Sequence, residues 1–448
     1  MSEHKTSDRS QVAVPKKVLI VAYYWPPAGG PGVQRWVHFV KHLPAYGIEP
    51  IVYVPENASY PIEDYSLLEA VSSEIKVVRQ PISEPYKWVS WLFKKQTKRM
   101  SQGLLNEKNS SFIERLLRAV RGNFFIPDAR VSWVKPSIAF LESYMTVHGI
   151  DTVITSGPPH SMHLIGLGLK QKGSIKWLAD FRDPWTSIGY HKALYLLPFA
   201  KKRHQALEAQ VLRSADKIIT TSPSTAQEFA AITQKPISVI TNGYEAAAPI
   251  LESVATAIKD QMKGFSMLHI GSLLAGRNPS ILWVCLSELI KENKVFKATF
   301  SLHFVGLVSD VVKEHLHFHG LSENCVFHGY KPHSQARAFQ KEGQLLLLLE
   351  IDSPQHKGII PGKLFEYMAS ESPILAVGPK AWDVNPIISE SAAGAVFEYT
   401  DKAALKGYIL KVFMTFNNGE ETPKPQGIEA YHRKALTEKL ANIIQLWA

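Results

Sequence analysis

Residues 17–35 read KVLIVAYYWPPAGGPGVQR, and this stretch decides the fold. Positions 17–25 form an apolar run rich in β-branched and aromatic residues, which predicts a buried strand. A proline pair and a glycine-rich loop end the strand, and the helical pattern that follows, from about 33 to 46, stops before Gly47. A strand that enters a helix through a glycine-rich loop predicts the first unit of a parallel α/β domain.

The same alternation of strand and helix continues along the chain in two series. The predicted strands of the first series are 50–55, 75–79, 151–155, 175–181 and 216–221. Those of the second are 266–271, 301–306, 325–330, 345–351, 373–378 and 395–399. Parallel neighbours need crossover helices, so the prediction is two doubly wound, Rossmann-like domains facing a central cleft, at 1–245 and 246–425. The connection falls near 241–258, and residues 426–448 are expected to form a helix that packs back on the first domain.

Composition excludes several protein classes. The 448 residues are 45% hydrophobic and 20% charged, which is ordinary for a globular chain, and no apolar run approaches the roughly 20 residues of a membrane-spanning helix. The two cysteines, Cys285 and Cys325, are too few for a disulfide framework or a four-thiolate zinc site. The charge of +10 is uneven: an inserted segment at about 81–135 holds eleven basic and four acidic residues, which favours an anionic partner.

Three loops of the first domain carry candidate site residues. Gly29, Gly30 and Gly32 could let backbone amides approach a phosphate or sugar, although a simple tight turn explains them equally well. Arg35 occupies the third glycine position of a dinucleotide fingerprint, which argues against a dinucleotide oxidoreductase. His160 follows the strand at 151–155, either as an acid, a base or a donor to substrate, or as part of an ordinary helix start.

The third of these loops follows the strand at 175–181. Asp180, Arg182 and Asp183 form a charged cluster at this strand end. Its alternatives are a structural ion pair and a functional group facing the cleft, and the position at a strand end favours function.

The second domain offers residues suited to a nucleotide diphosphate. Arg277, after Gly271 and Ser272, is placed beside a helix start, where amides and a guanidinium could hold a diphosphate. A later helix begins around Gly362, Lys363 and Leu364, with Glu366 one turn on to bind a diol; the alternative is a solvated first turn. No pattern of metal ligands accompanies these residues, so no metal or other cofactor is expected in the reaction.

The ordered motifs resemble the retaining glycosyltransferases of family 4, which have the GT-B fold. The resemblance covers nearly the whole chain and rests on the segments 24–32, 156–160, 180–185, 242–243, 271–277 and 361–369. It implies transfer of a sugar from a nucleotide-diphosphate sugar to a glycan or lipid-linked acceptor, with retention and without metal. Arg277 and Lys363 would hold the diphosphate, Glu366 the ribose, and the loop Gly29–Gly32 would lie against the donor. Asp180, Arg182, Asp183 and His160 would surround the reacting centre.

One departure from the family pattern concerns donor recognition. The first glutamate of its E-x7-E motif is replaced by Gly358, with Glu350 or Asp352 as possible substitutes. This departure makes a non-catalytic sugar-nucleotide-binding partner protein an alternative. A hydrolysing sugar-nucleotide 2-epimerase, a class that shares the GT-B architecture, is a second alternative.

The expected location is the cytoplasm, at the inner face of a membrane. Residues 86–99, from Tyr86 to Arg99, mix aromatic residues with lysines, a composition that suits an anionic membrane surface. Packing of these aromatic side chains inside the protein is the alternative. Nucleic acid is not expected as a partner.

Overall fold

The computed structural model describes residues 14–83, 112–245 and 250–447. Two fully parallel sheets, of seven and six strands, organise these residues. The predicted pair of doubly wound α/β domains is thus confirmed. Residues 86–99, for which membrane contact is predicted, lie outside the described part of the chain.

The strands of the first sheet belong to the N-terminal domain. They are β1 (Lys16–Val21), β2 (Ile48–Pro55), β3 (Lys76–Gln80), β4 (Thr152–Gly157), β5 (Lys176–Phe181), β6 (Lys217–Thr220) and β7 (Ile237–Val239). The helices around this sheet are α1 (Pro31–His42), α2 (Phe112–Phe124), α3 (Val134–His148), α4 (Ser161–Lys172), α5 (Pro198–Ser214) and α6 (Pro223–Ala230).

The second sheet belongs to the C-terminal domain. Its strands are β8 (Phe265–Ile270), β9 (Phe300–Val305), β10 (Cys325–Gly329), β11 (Leu345–Leu349), β12 (Ile374–Gly378) and β13 (Gly394–Glu398). The helices are α7 (Glu252–Gln261), α8 (Ser280–Glu292), α9 (Lys294–Thr299), α10 (Asp310–Phe318), α11 (His333–Glu342), α12 (Lys363–Ala369), α13 (Val384–Glu390), α14 (Lys402–Asn417) and α15 (Arg433–Gln445).

The strand order places the candidate loops. The first sheet runs β3-β2-β1-β4-β5-β6-β7 and the second β10-β9-β8-β11-β12-β13, so the order reverses between β1 and β4 and between β8 and β11. In such sheets ligands bind beyond the carboxyl ends of the strands at these reversal points. The loops after β1, β4, β8 and β11 therefore frame the two halves of a site.

Each sheet is covered on both faces by an apolar layer. The central strands are buried on both sides, as the runs in β1 and β11 require. Helix α15 contributes Leu436, Leu440 and Ile444 to the layer formed by α1 and the N-terminal sheet. The end of the chain thus packs on the first domain.

Several element bounds differ from those predicted. Strand β1 ends at Val21 and not at 25, because the chain then curves over the sheet edge, where the amide of Gly29 donates to the carbonyl of Ile62. Arg277 ends a short 3-10 turn, Ala275–Arg277, and α8 begins three residues later. The interdomain connection contains helix α7, and β7 was not anticipated. No helix of the described segments is long and apolar enough to cross a membrane.

Candidate functional site

A cationic pair lies beyond the carboxyl ends of β8 and β11. The ammonium of Lys363, on α12, donates to the carbonyl of Ile270 over 2.8 Å and lies 3.4 Å from Nε2 of His269. A Cβ at Gly271 would lie 3.8 Å from this ammonium, and Gly271 has a φ of 97°, which favours glycine. The exposed Ser272 follows directly. The structure therefore brings the Gly271 loop and Lys363 together.

Arg277 joins this cluster through a buried carboxylate. Its Nε and Nη2 atoms donate to the two oxygens of Glu350 at 3.0 and 3.1 Å. His356 makes a third contact with Glu350, 3.1 Å from Nδ1 to Oε1, and the amide of Ile351 donates to the same oxygen. Burial would raise the pKa of Glu350, but the His356 contact and the Arg277 ion pair together lower it. Glu350 therefore positions Arg277.

The charge of the cluster is favourable for an anion. Burial, followed by the nearby Arg277, lowers the pKa of Lys363 to about 7. The single carboxylate of Glu350 faces both Arg277 and Lys363, so the protonated cluster keeps an excess positive charge. A bound diphosphate would neutralise this charge and hold Lys363 in its protonated form.

Glu366 is held by two residues that the sequence analysis did not identify. His333 contacts Oε1 over 3.1 Å, and the amide nitrogen of Gln340 donates to Oε2 over 3.2 Å. Burial would raise the pKa of Glu366, but the hydrogen bond and charge of His333, the hydrogen bond from Gln340 and the charge of Arg433 together lower it. The ionised carboxylate keeps lone pairs for a diol. Both partners lie on α11, and no sequence motif marks them.

In the N-terminal domain, the glycine loop lies against Arg182. A Cβ at Gly32 would overlap the guanidinium of Arg182, so only glycine fits there. Arg182 donates to the carbonyl of Pro158 and lies over the ring of Tyr24. Gly30 caps α1 with a φ of 106°. The loop after β1 and the charged cluster after β5 therefore meet.

Asp180 and Asp183 have different environments. Asp180 is fully buried and accepts hydrogen bonds from Arg35 Nη2 at 2.9 Å, Trp36 Nε1 at 3.0 Å and Ser156 Oγ at 2.8 Å. These contacts match the ion-pair alternative, in which Asp180 ties α1 to β4 and β5. Asp183 is only partly buried, and within the described residues it has no hydrogen bond or ion pair; burial raises its pKa although Arg182 opposes the shift.

A buried glutamate holds the loop that contains Asp183. Glu208 on α5 accepts hydrogen bonds from the amides of Trp185 and Thr186, both over 3.1 Å, and from the Thr186 hydroxyl. It is 4% exposed. Its signal in the sequence is a lone acid on the apolar face of α5.

His160 faces a cavity in the N-terminal domain. Its ring stacks on Trp185 with centroids 5.0 Å apart, and both ring nitrogens are buried without a hydrogen-bond partner in the described part of the chain. Burial is the main cause that lowers the pKa of His160 well below its usual value, so the ring is neutral. The cavity, of about 220 Å³, is also lined by Tyr24, Arg130 and His191. A neutral imidazole without partners is available to a substrate hydroxyl.

Gly358, the departure from the family motif, lies at the contact between the domains. A Cβ there would lie 3.0 Å from Oγ of Ser222. Beside it, Ser224 donates to Asp383 through its amide and its hydroxyl, at 2.8 and 2.7 Å. A glutamate at 358 would need these residues to move. Of the two residues suggested as substitutes for the missing glutamate, Glu350 is buried and paired with Arg277, and Asp352 is exposed.

The two clusters flank the same interdomain contact. A Cβ at Gly189, which follows the Asp183 loop, would lie 2.8 Å from Nε2 of His356, the residue that holds Glu350. The loop that follows Asp183 therefore lies against the residues that surround Arg277.

The fold has the two-domain GT-B architecture of many sugar-transferring enzymes. A sucrose-phosphate synthase from Thermosynechococcus elongatus has 13% identity and a TM-score of 0.60, with 96% of this chain and 99% of that chain covered. HepE from Anabaena, solved with UDP-glucose, has 13% identity and a TM-score of 0.59, with 96% of this chain and 99% of that chain covered. The lipopolysaccharide outer core galactosyltransferase WaaB has 13% identity and a TM-score of 0.59, with 96% of this chain and 100% of that chain covered.

The N-terminal half of the chain is similar to a known sequence family. Residues 32–247 match the model of Glycosyltransferase Family 4. No curated protein sequence matches the chain. The resemblance read from the motifs is confirmed by this match and by the fold.

Proposed function

We propose that this protein transfers a sugar from a nucleotide-diphosphate sugar to a glycan or lipid-linked acceptor, with retention of the anomeric configuration. The observation that carries the proposal is the Arg277–Lys363 pair, set at the strand-order reversal of the C-terminal sheet and only partly neutralised by Glu350. Such preorganised cations stabilise the charge that develops on a departing diphosphate. The residues present supply this stabilisation themselves, and the proposed reaction needs no metal.

The donor is proposed to lie across the C-terminal half of the cleft. Its diphosphate would bind Arg277 and Lys363, beside the backbone of Gly271, Ser272, Gly362 and Leu364. Glu366 would accept hydrogen bonds from the ribose hydroxyls. The glycine loop at Gly29, Gly30 and Gly32, which lies against Arg182, would contact the donor from the other domain.

The acceptor is proposed to enter the cavity beside His160. Tyr24 offers an aromatic surface for a sugar ring, and His160, which stacks on the buried Trp185, offers a neutral imidazole. Asp183, which has no hydrogen bond or ion pair to the described residues, would accept a hydrogen bond from the attacking hydroxyl. The new bond forms to the anomeric carbon as its bond to the diphosphate oxygen breaks, and the hydroxyl proton passes to that oxygen. Because attack occurs on the face from which the diphosphate departs, the configuration is retained.

The stereochemistry of the product tests this proposal. The chain is incubated with nucleotide sugars of α configuration and candidate glycan acceptors, and the anomeric coupling of the product is measured by proton NMR. An α product formed without free-sugar release is expected. A β product would contradict retention, and interconversion of the donor itself would favour the epimerase.

We also propose that the enzyme works at a membrane surface in the cytoplasm. The support is the basic, aromatic composition of residues 86–99. Deleting this segment is expected to reduce sedimentation with liposomes that contain anionic lipid, and to leave the weak binding to neutral liposomes unchanged. Equal sedimentation of both chains with anionic liposomes would assign the segment to internal packing instead.

A further inference from the structure

Helix α1 and the interdomain connection share a cluster of three potential metal ligands. His38 and His42 are one helical turn apart and therefore lie on the same face of α1. Glu245, more than 200 residues away in sequence, reaches this face from the connection between the domains. The three ligand atoms lie within 4.8 Å of one another, and all three residues are partly buried.

The distances in the cluster suit a tetrahedral ion. Glu245 Oε2 lies 3.3 Å from Nδ1 of His38 and 3.4 Å from Nε2 of His42. Ligands about 2.1 Å from a tetrahedral zinc ion are separated by about 3.4 Å, which follows from the ligand distances and the geometry. Two of the three separations already have this value. Two imidazoles and one carboxylate are also a common donor set for zinc.

One nitrogen of the cluster is unsatisfied. His42 lies within hydrogen-bond distance of both oxygens of Glu245, but the buried Nδ1 atom of His38, 3.3 Å from one of them, has no hydrogen-bond partner among the described residues. An unprotonated Nδ1 and a carboxylate oxygen repel each other at this distance, and a cation bound to both removes the repulsion. Lys41 supplies a positive charge from one side, 3.0 Å from Glu245 Oε1. Its side chain is 47% exposed, so it can turn into solvent when an ion binds.

We propose that His38, His42 and Glu245 bind one Zn²⁺ ion, with solvent in the fourth position. The ion would fix the point where the chain crosses between the domains. The amide of Tyr244, next to Glu245, donates to the carbonyl of Tyr431, and the carbonyl of Tyr244 accepts from the amide of Arg433. The two places where the chain passes from one domain to the other therefore lie side by side here. None of the three ligands belongs to the proposed donor or acceptor site. The zinc site is therefore independent of the proposed transferase activity.

Metal titration of the full chain without a polyhistidine tag tests the proposal. After dialysis against a chelator, the protein is titrated with Co²⁺, followed by visible absorption, and with Zn²⁺, followed by calorimetry. One ion per chain with a tetrahedral cobalt spectrum is expected. His42→Ala and Glu245→Gln should each weaken binding at least tenfold, since loss of even an outer-sphere partner of a metal costs about 10–100-fold.

Two further variants separate this site from nonspecific binding by histidines. Lys41→Gln removes the competing cation and should tighten binding of Zn²⁺, which an adventitious histidine pair would not show. His315→Ala alters an exposed histidine on another helix and should leave binding unchanged. Binding of Zn²⁺ weaker than 100 μM (about 5.5 kcal/mol), or equal binding by wild-type and Glu245→Gln chains of the same thermal stability, would overturn the proposal.

Discussion

Replacing Lys363 with alanine is expected to lower turnover by about 1,000-fold, the upper range for one electrostatic donor to a developing oxyanion. Arg277→Ala is expected to lower it by about 100-fold or more, and it also leaves the buried Glu350 with only His356 and one amide. Turnover is measured as release of nucleoside diphosphate. Lys380→Ala, at an exposed lysine of the same domain, is the matched control and should keep wild-type turnover.

The pH dependence of donor binding gives the same prediction a second measurement. The pKa of Lys363 is lowered to about 7 in the free protein, and a bound diphosphate would raise it. Binding therefore takes up a proton above this pH, so affinity for the nucleotide sugar falls as the pH rises through 7. The Lys363→Ala variant should lose this dependence. Wild-type turnover in both the Lys363 and the Arg277 variants would contradict the diphosphate assignment.

Asp180→Ala is expected to lower mainly the stability of the protein, and Asp183→Ala mainly its turnover, although the two residues are only three positions apart. Removing Asp180 leaves Arg35 buried without its ion-pair partner, which costs about 3–5 kcal/mol and lowers the melting temperature by about 10 °C. Removing Asp183 breaks no hydrogen bond or ion pair of the described chain and takes away only a charge near Arg182, so the melting temperature should fall much less than in Asp180→Ala. Turnover of the Asp183 variant should fall by about 100-fold, as for loss of an acid–base partner.

Melting curves and donor turnover of both variants, measured together, check this pair of expectations. Asp180→Asn is the control for the first variant, because the isosteric amide keeps some of the hydrogen bonds and should melt between the wild type and Asp180→Ala. A large loss of stability in Asp183→Ala with full activity would show that the roles of the two aspartates are reversed.

The sequence predicts the sheets well because each buried strand is a short, continuous apolar run. Strands of this kind must be parallel and covered on both faces, so the run at 17–25 and those that follow define two doubly wound domains. The sequence also identifies loop glycines that the backbone conformation or a close contact requires. Gly30 has a positive φ, and Gly32 lies against a guanidinium, which are conditions that only glycine meets easily.

The sequence could not assign partners to charged residues that lie far apart in the chain. Arg277 and Glu350 are 73 residues apart, and Arg35 and Asp180 are 145 apart. The cluster at 180–183 therefore looked like one functional group. Its position within β5 was the available signal: Asp180 lies inside the buried strand, whereas Asp183 lies beyond its end. His333 and Gln340 had no such signal, because their contact with Glu366 arises only when α11 packs beside α12.

Binding of nucleoside diphosphates tests the central claim most directly. The melting temperature of the purified chain is measured with UDP, GDP, ADP and CMP and with their common sugar conjugates, each with and without EDTA. A ligand that binds only the folded protein raises this temperature by mass action. A rise with one nucleoside diphosphate and its sugar conjugates, unchanged by EDTA and absent in Lys363→Ala, is the expected result. No rise with any of these ligands, or an equal rise in Lys363→Ala, would contradict the assignment of a donor site to Arg277 and Lys363.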